Sequence, residues 1–132
     1  MNTVTSEHLL PPGGHYSQGV VTGNLLFVSG QLPFAPETGG FPEGIDAQFV
    51  QAMRNVEAVL TAAGATLENL VNVQIFITDV AHWPRVNAQY ATLLGTHRPA
   101  RAIIPCGELH YGALVEITAV AELITAEKEA GQ

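Results

Sequence analysis

The feature that most constrains the fold is a change in the spacing of apolar residues in the middle of the chain. From Ile45 to Ala63 they recur every three or four positions, which predicts a helix that Gly64 ends. From Leu70 to Thr78 they alternate with other residues, which is typical of a strand with one dry face. A helix next to such a strand buries its apolar stripe against the sheet, so the sequence predicts an α+β fold.

The segments on either side supply the other elements. A Gly23-Asn24 turn between two apolar runs is the signature of a hairpin. A second helix is expected with Pro84 in its first turn and Gly95 at its close, entered through Asp79 or a neighbour. The predicted strands cover residues 19–22, 25–31, 70–78, 102–104 and 114–123. The predicted order is β-β-α-β-α-β-β, a mixed sheet covered on one face by two helices.

The uncovered face of this predicted sheet is unusually apolar. Along the last strand, Glu116 lies on the face turned away from the helices, among Leu114 and Val120, and Phe76 of the strand at 70–78 shares that face. Charged residues form only 13% of the chain, against about 25% in ordinary globular domains. Both observations predict that copies of the chain associate through this face.

Composition narrows the class of protein and its partners. With 132 residues the chain is expected to form one domain, residues 1–132, with loose ends at 1–13 and 125–132. Lys plus Arg total 5 against 12 Asp plus Glu, a net charge of −7, which argues against nucleic acid and anionic membranes as partners. One cysteine and an N-terminus without a basic and apolar leader predict a cytoplasmic, soluble protein.

Two charged residues are the strongest candidates for chemistry. Arg101 closes the motif Arg98-Pro99-Ala100-Arg101 at the start of a strand, where its planar guanidinium is suited to bind a carboxylate bidentately. Glu116 follows fifteen residues later among aliphatic residues, where a carboxylate needs a partner or a wet pocket. On neighbouring strands the two form either a structural ion pair or a small-molecule site, and spacing does not decide between them.

Other reactive residues lack the spacing that would make them a site. The five histidines show no helical pair and no H-E-x-x-H pattern, so no metal is expected. Cys106 has no paired motif and is expected to be an inert thiol. The sequence also has no glycine-rich phosphate loop and no G-x-S-x-G elbow.

A set of short motifs follows a fixed order between residues 14 and 123. They are Tyr16-Ser17-Gln18; Ser29-Gly30-Gln31-Leu32-Pro33 with Pro36 and Thr38-Gly39; Gln48 and Asn55; Ala62-Ala63-Gly64; Val86-Asn87 with Tyr90; Arg98-Pro99-Ala100-Arg101; and Val115-Glu116-Ile117. In this combination the sequence strongly resembles the reactive intermediate deaminase family, the RidA or YjgF-like proteins. The resemblance implies a chorismate-mutase-like fold, assembled as a homotrimer whose sheets face inward and whose active sites lie between subunits.

The resemblance also implies an activity that needs no cofactor. It is the hydrolysis of enamines and imines, such as 2-aminoacrylate and 2-iminopropionate, to a 2-keto acid and ammonia by a 2-iminobutanoate/2-iminopropanoate deaminase. Carried over to this chain, Arg101 would hold the substrate carboxylate together with the backbone amide of Ile103, and Glu116 would position water. The other pocket residues that the resemblance implies are Tyr16, Ser29, Gly30 and Asn87.

The sequence departs from the family pattern near this pocket. Ile103 stands where deaminating members often carry cysteine, and His15 stands where proline often precedes the tyrosine. The frequent Leu-Pro-Lys-Gly turn is replaced by Leu109-His110-Tyr111-Gly112. Pro105 is expected to interrupt the strand that Arg101 begins.

Two further functions stay open beside the deaminase. One is a non-catalytic trimer that binds small carboxylates or keto acids and has a regulatory role through a partner. The other is a ribonuclease, as some relatives of the family are named, which the net charge of −7 disfavours.

Overall fold

The computed structural model describes residues 1–124, so the expected loose tail at 125–132 lies outside the described residues. Two helices and six strands are found within that range. The helices are α1 (Ile45–Ala62) and α2 (Trp83–Leu94). The strands are β1 (Asn2–Val4), β2 (Gly19–Thr22), β3 (Leu25–Gln31), β4 (Leu70–Ile77), β5 (Ala100–Pro105) and β6 (Val115–Glu122).

The six strands form one mixed sheet in the order β1-β2-β3-β6-β4-β5. The β4–β5 pair is parallel, joined by the crossover through α2, and the other pairs are antiparallel. This confirms the predicted α+β class and the mixed sheet. It also places β4 between β5 and β6, so Arg101 and Glu116 do not lie on neighbouring strands as expected.

The helices pack on one face of the sheet, as predicted. Phe49, Val56 and Leu60 of α1 are fully buried, as are Ile75 of β4 and Ile117 of β6. These side chains belong to one continuous core because alternate strand residues all point to the helices. The opposite face carries Glu116 and has no helix over it in the described chain.

The predicted helix boundaries are confirmed. Gly64 follows α1 with a φ of 79°, a left-handed conformation that ends the helix and that glycine adopts without steric cost. Pro84 lies in the first turn of α2, where its missing amide is not needed. The Asp79 carboxylate accepts a hydrogen bond from the Ala81 amide at 2.9 Å, which starts the short 3-10 helix leading into α2.

Residues near the N-terminus differ from the expectation of a loose end. Residues Asn2–Val4 form β1, which pairs antiparallel with β2. The Ser6 amide then donates to Gln18 Oε1 at 2.6 Å, and both residues are buried. Gln18 Nε2 also donates to the Leu10 carbonyl at 3.3 Å, so the segment between β1 and β2 is held against the domain.

Two strand details also differ from the prediction. Val71 is exposed instead of buried, because the register between β4 and β6 shifts between Leu70 and Asn72 and Leu70 takes the core position. Pro105 does not interrupt β5 but ends it, opposite Ile77. Since β5 is the outer strand, a residue without an amide is tolerated at its free edge.

No helix within residues 1–124 is long and apolar enough to cross a bilayer.

Candidate active site

An irregularity in β3 brings two of the expected site residues next to Glu116. The pairing of β3 with β6 is regular up to Val28 and resumes at Gln31 with a shifted register. Ser29 and Gly30 occupy this bulge, and bulges bend a strand and redirect its residues. Glu116 lies one position before Ile117, the partner of Gln31, on the face that has no helix.

Gly30 and Glu116 lie so close together that no side chain fits between them. A Cβ atom built on Gly30 would lie 2.8 Å from Glu116 Oε2 and 3.2 Å from its carboxyl carbon. The first contact is shorter than real Cβ atoms make and the second is unusually tight, so any larger residue at position 30 displaces the carboxylate. Glycine therefore keeps the carboxylate in this place by leaving space for it, since its φ is not in the left-handed region.

Glu116 lies in a cavity of about 740 Å³ on this face of the domain. Burial raises the pKa of its carboxyl above the ordinary value, and the nearby His110 opposes that effect. The other residues that line the cavity come from the N-terminal segment, the β3 bulge, the loop after β3, α1 and the turn before β6: Leu9, Leu10, Pro11, Pro12, Gly13, Gly14, Tyr16, Gln18, Ser29, Gly30, Gln31, Leu32, Phe34, Asn55, His110 and Tyr111.

The structure thus brings four expected site residues together: Tyr16, Ser29, Gly30 and Glu116. Tyr16 is half exposed, and its ring is available to the cavity. The hydroxyl of Ser29 is already committed, because it donates to the Ser17 carbonyl at 2.6 Å. Ser29 therefore fixes the segment that carries Tyr16, and toward a ligand its hydroxyl is left to accept.

Arg101 lies elsewhere, on the helix-covered face at the outer strand. Its Nη1 donates to Asn87 Oδ1 of α2 at 2.9 Å. Its guanidinium carbon lies 4.9 Å from the ring centre of Tyr90 and 5.8 Å from that of Trp83. An amide and two aromatic faces orient the planar cation while the residue as a whole stays exposed.

The backbone amide of Ile103 points to the free edge of β5, the same edge that the amide of Arg101 faces. The Cys106 amide donates to the Ile77 carbonyl of β4 at 2.8 Å. Because residues alternate in direction along a parallel strand, the amide of Ile104 also faces β4, and those of Ile103 and Arg101 face the free edge. This edge can therefore offer a guanidinium and a backbone donor to one anion.

The expected residues therefore form two groups on opposite faces of the sheet. Arg101 pairs in register with Val73, whose side chain is in the core, and Glu116 pairs with Phe76 on the other face. Within residues 1–124 no ion pair joins Arg101 to Glu116. The structural ion pair that spacing left open is not formed within the chain.

Several residues of the cavity were not expected from the sequence. His110 and Tyr111 line it, although the sequence marks them only as a departure from a family turn. Asn55 in α1 donates to the carbonyls of Leu32 and Phe34 at 3.0 and 2.9 Å, which holds the loop that carries Phe34. The usable signal for Asn55 was a polar residue on the apolar stripe of a predicted helix, since such a residue needs a buried partner.

Side chains able to bind a metal, and the cysteine, are further candidates for chemistry within residues 1–124. Among residues 1–124, no group of three or more His, Cys, Asp or Glu side chains is placed to hold a metal ion. Cys106 is a free, half-buried cysteine just after β5.

Comparison with known proteins relates this arrangement to one family. The family model described as Endoribonuclease L-PSP matches residues 6–123. A RutC family protein of Pyrococcus horikoshii is 35% identical over 119 residues, which cover 89% of this chain and 94% of that protein. The 2-iminobutanoate/2-iminopropanoate deaminase of Escherichia coli K12 is 34% identical over 122 residues, which cover 90% of this chain and 95% of that protein.

A solved structure extends the likeness to the fold. The crystal structure of RidA from the Antarctic bacterium Psychrobacter sp. PAMC 21119 matches with a TM-score of 0.89 at 33% identity. The match covers 93% of this chain and 100% of that one. Sequence and fold agree over nearly the whole described chain, which therefore belongs to the RidA/YjgF family, whose sequence model is described as Endoribonuclease L-PSP.

Proposed function

We propose that this protein is an imine deaminase that hydrolyses 2-imino acids and their enamine tautomers to 2-keto acids and ammonia without a cofactor. The observation that carries the proposal is the pair of separate half-sites. One is the oriented guanidinium of Arg101, and the other is the Glu116 carboxylate against Gly30 in a cavity. A relative at 34% identity is named for this activity.

Arg101 serves as the carboxylate clamp in this proposal. Its contacts to Asn87 and Tyr90 leave the guanidinium exposed and pre-oriented, and the Ile103 amide faces the same edge. A guanidinium and an amide can bind one carboxylate through charge-assisted hydrogen bonds. Fixing the carboxylate places the imine carbon at a defined point, which removes much of the entropic part of the barrier.

Glu116 serves as the water-orienting group. Its carboxylate, held in a cavity, accepts a hydrogen bond from water and takes its proton as the oxygen attacks the imine carbon. The C=N bond becomes a C–N single bond, and the nitrogen takes up the proton that Glu116 removed from water. Glu116 then accepts the proton of the new hydroxyl and passes it to the nitrogen as the C–N bond breaks, which gives the keto acid and ammonia, so one water is consumed and one ammonia released.

Two copies of the chain are needed to complete this site. Arg101 and Glu116 of one chain lie on opposite faces of its sheet, so one copy must supply the clamp and another the carboxylate. The face around Glu116 is suited to such contact, because it carries Phe27, which is 44% exposed opposite Val120, and Phe76, which lies opposite Glu116. We therefore propose a homotrimer with sites between subunits, assembled through this face, the chorismate-mutase-like arrangement expected from the sequence.

We place this activity in the cytoplasm and assign it no nucleic-acid or membrane partner. The support is compositional: a single cysteine, and a net charge of −7 that repels polyanions.

The deciding experiment generates 2-aminoacrylate with a serine dehydratase and follows keto-acid release with and without this protein. We expect the native protein to accelerate release over the spontaneous reaction and the Arg101→Ala variant to lose at least about 90% of that acceleration. Arg98→Ala removes an exposed arginine three residues earlier and is the matched control, with native activity expected. Full activity in Arg101→Ala would overturn the proposal.

The same preparations separate the two other functions. Tight binding of 2-ketobutyrate without any turnover would identify a non-catalytic binder instead. Cleavage of RNA that survives repurification and disappears in the Glu116→Gln variant would identify a ribonuclease.

A further inference from the structure

The cavity beside Glu116 is larger than a three-carbon imino acid requires. Its volume of about 740 Å³ lies within the range of about 300–1,000 Å³ that proteins use for much larger organic ligands. Glu116 and Gly30 occupy one part of it. In the proposed assembly, part of the volume is filled by the neighbouring copy that supplies Arg101, and the remainder is available to the substituent on the imine carbon.

The walls of this remaining space are apolar and partly aromatic. Its lining includes the N-terminal residues Leu9, Leu10 and Pro11, here called the aliphatic wall, and Phe34 and Tyr111, here called the aromatic wall. Phe34 meets Tyr111 edge to face, with ring centres 5.7 Å apart, and meets Phe41 at 4.7 Å. Such a surface favours a large apolar side chain, and rings in this geometry add a preference for aromatic ones.

Hydrogen bonds from two buried side chains hold both walls in place. Gln18 is 4% exposed and donates to the Leu10 carbonyl at 3.3 Å, which fixes the aliphatic wall. Asn55 is 3% exposed and donates to the Phe34 carbonyl at 2.9 Å, which fixes the aromatic wall. Because each wall is tied to the core, the space does not collapse when no ligand is bound.

The backbone of Tyr111, at the cavity, adopts a strained conformation. It has a φ of 60° and a ψ of 23°, the left-handed region that residues with a Cβ rarely adopt. Its side chain is 79% exposed, so the conformation is not a by-product of core packing. An exposed ring kept over a cavity in a strained turn has the character of a ligand contact.

We propose that this apolar part of the cavity binds the side chain of the substrate, so that the protein prefers 2-imino acids with large apolar side chains, aromatic ones first. The proposal rests on the deaminase function proposed above. Tyr111 is its specificity-determining residue, since its ring closes the aromatic wall.

The test compares two imines at equal enzyme concentration. The imine of phenylalanine is generated from L-phenylalanine and oxygen by an L-amino acid oxidase, with catalase removing the peroxide, and 2-iminopropanoate comes from the dehydratase reaction. Semicarbazide traps the imine that the enzyme has not hydrolysed. We expect the acceleration for the phenylalanine imine to exceed that for 2-iminopropanoate by at least about tenfold.

Two variants at one position identify the contact. Tyr111→Gly removes the ring, and glycine readily adopts the left-handed conformation of this position. We expect this variant to lower the preference for the phenylalanine imine over 2-iminopropanoate about tenfold. Tyr111→Phe keeps the ring and is expected to keep the preference. Affinity for phenylpyruvate against pyruvate, measured by calorimetry, should shift in the same direction.

The outcomes separate this proposal from the one on which it rests. If neither imine is hydrolysed faster with the protein, the deaminase function itself fails. If 2-iminopropanoate is hydrolysed in an Arg101-dependent manner but the phenylalanine imine is not, the cavity is filled by another copy of the chain and only the preference is overturned. An unchanged preference in Tyr111→Gly also overturns the role of Tyr111.

Discussion

At the scale of single residues, the site depends on one missing side chain. Glu116 keeps its position because Gly30 leaves room for it, with a built Cβ only 2.8 Å from Oε2. The carboxylate and the glycine therefore act as one unit, although they lie far apart in the sequence. A substitution at either position tests the same geometry.

Gly30→Ala is expected to displace the Glu116 carboxylate and to lower deaminase activity by at least about tenfold, because a misplaced catalytic group loses most of its orientation benefit. The measurement is keto-acid release from 2-aminoacrylate. Gly107→Ala is the matched control, since a Cβ there meets nothing within 4 Å and its φ is not left-handed. Equal activity in Gly30→Ala and Gly107→Ala would contradict this account.

Glu116→Gln is expected to abolish activity while making the protein more stable at neutral pH. Burial raises the pKa of Glu116, so the folded state binds this proton more tightly than the unfolded chain. The stability from this group is complete below the ordinary pKa of a glutamate and is lost as pH rises through the raised pKa. Glutamine does not ionise and avoids that loss.

Thermal unfolding of the native and Glu116→Gln proteins at pH 4 and pH 7 measures this effect. The Tm of the variant minus the Tm of the native protein should be larger at pH 7 than at pH 4. A difference in Tm that is smaller at pH 7 would mean that the ionised carboxylate is stabilised by its surroundings.

The acid limb of the native activity profile should lie above the ordinary pKa of glutamate, because the water-orienting form of Glu116 is the ionised one.

At the scale of elements, α1 does more than cover the sheet. Two buried amides on its apolar stripe, Gln48 and Asn55, form hydrogen bonds with backbone groups outside the helix. Gln48 Nε2 donates to the Pro42 carbonyl at 3.1 Å, and its Oε1 accepts from the Leu114 amide at 2.9 Å. Through these two side chains one helix positions the loop after β3 and the start of β6.

Asn55→Leu is expected to lower the free energy of unfolding by about 1–3 kcal/mol. The substitution leaves the carbonyls of the half-buried residues Leu32 and Phe34 without their donor, and an unsatisfied buried group costs about 1–3 kcal/mol, less where water reaches it. Urea unfolding at one fixed protein concentration is the measurement. Gln51→Ala, which removes only the side chain that donates to Asn55 Oδ1 at 2.9 Å, should cost less than about 1 kcal/mol. A larger loss in Gln51→Ala than in Asn55→Leu would exclude the anchoring role.

At the scale of the whole molecule, the sheet separates the two halves of the proposed site. Arg101 is reached from the helix side and Glu116 from the other, so no motion of a side chain joins them within one chain. In the proposed function, this arrangement makes the assembly part of the catalytic apparatus. It also allows a test that does not depend on a structure of the oligomer.

Mixing two inactive variants is expected to restore activity. Arg101→Ala keeps Glu116, and Glu116→Gln keeps Arg101, so a site between one copy of each has both groups. After subunit exchange of an equal mixture, about a quarter of the sites should be intact, which gives about a quarter of native activity. Light scattering on each variant checks that its assembly matches the native one. If both groups served a site from the same chain, mixing would restore nothing.

The elements of this fold were predictable because their signals are local. The apolar stripe from Ile45, the alternation after Leu70 and the prolines and glycines at the ends of both helices act within a few residues of chain. Alternation in the last strand also placed Glu116 on the face away from the helices. The loop anchors Gln18 and Asn55 were not predictable as contacts, because their partners lie on other elements.

The sequence by itself determined the number and order of most elements, the family and the candidate residues Arg101 and Glu116. Only the tertiary structure decided that β4 separates their strands, that the β3 bulge brings Gly30 against Glu116, and that Asn2–Val4 completes the sheet edge. Strand order and register depend on pairing between segments far apart in the chain, and local spacing carries no information about it. That pairing divides the candidate residues between two faces of the sheet, which is why the proposed site needs a second copy.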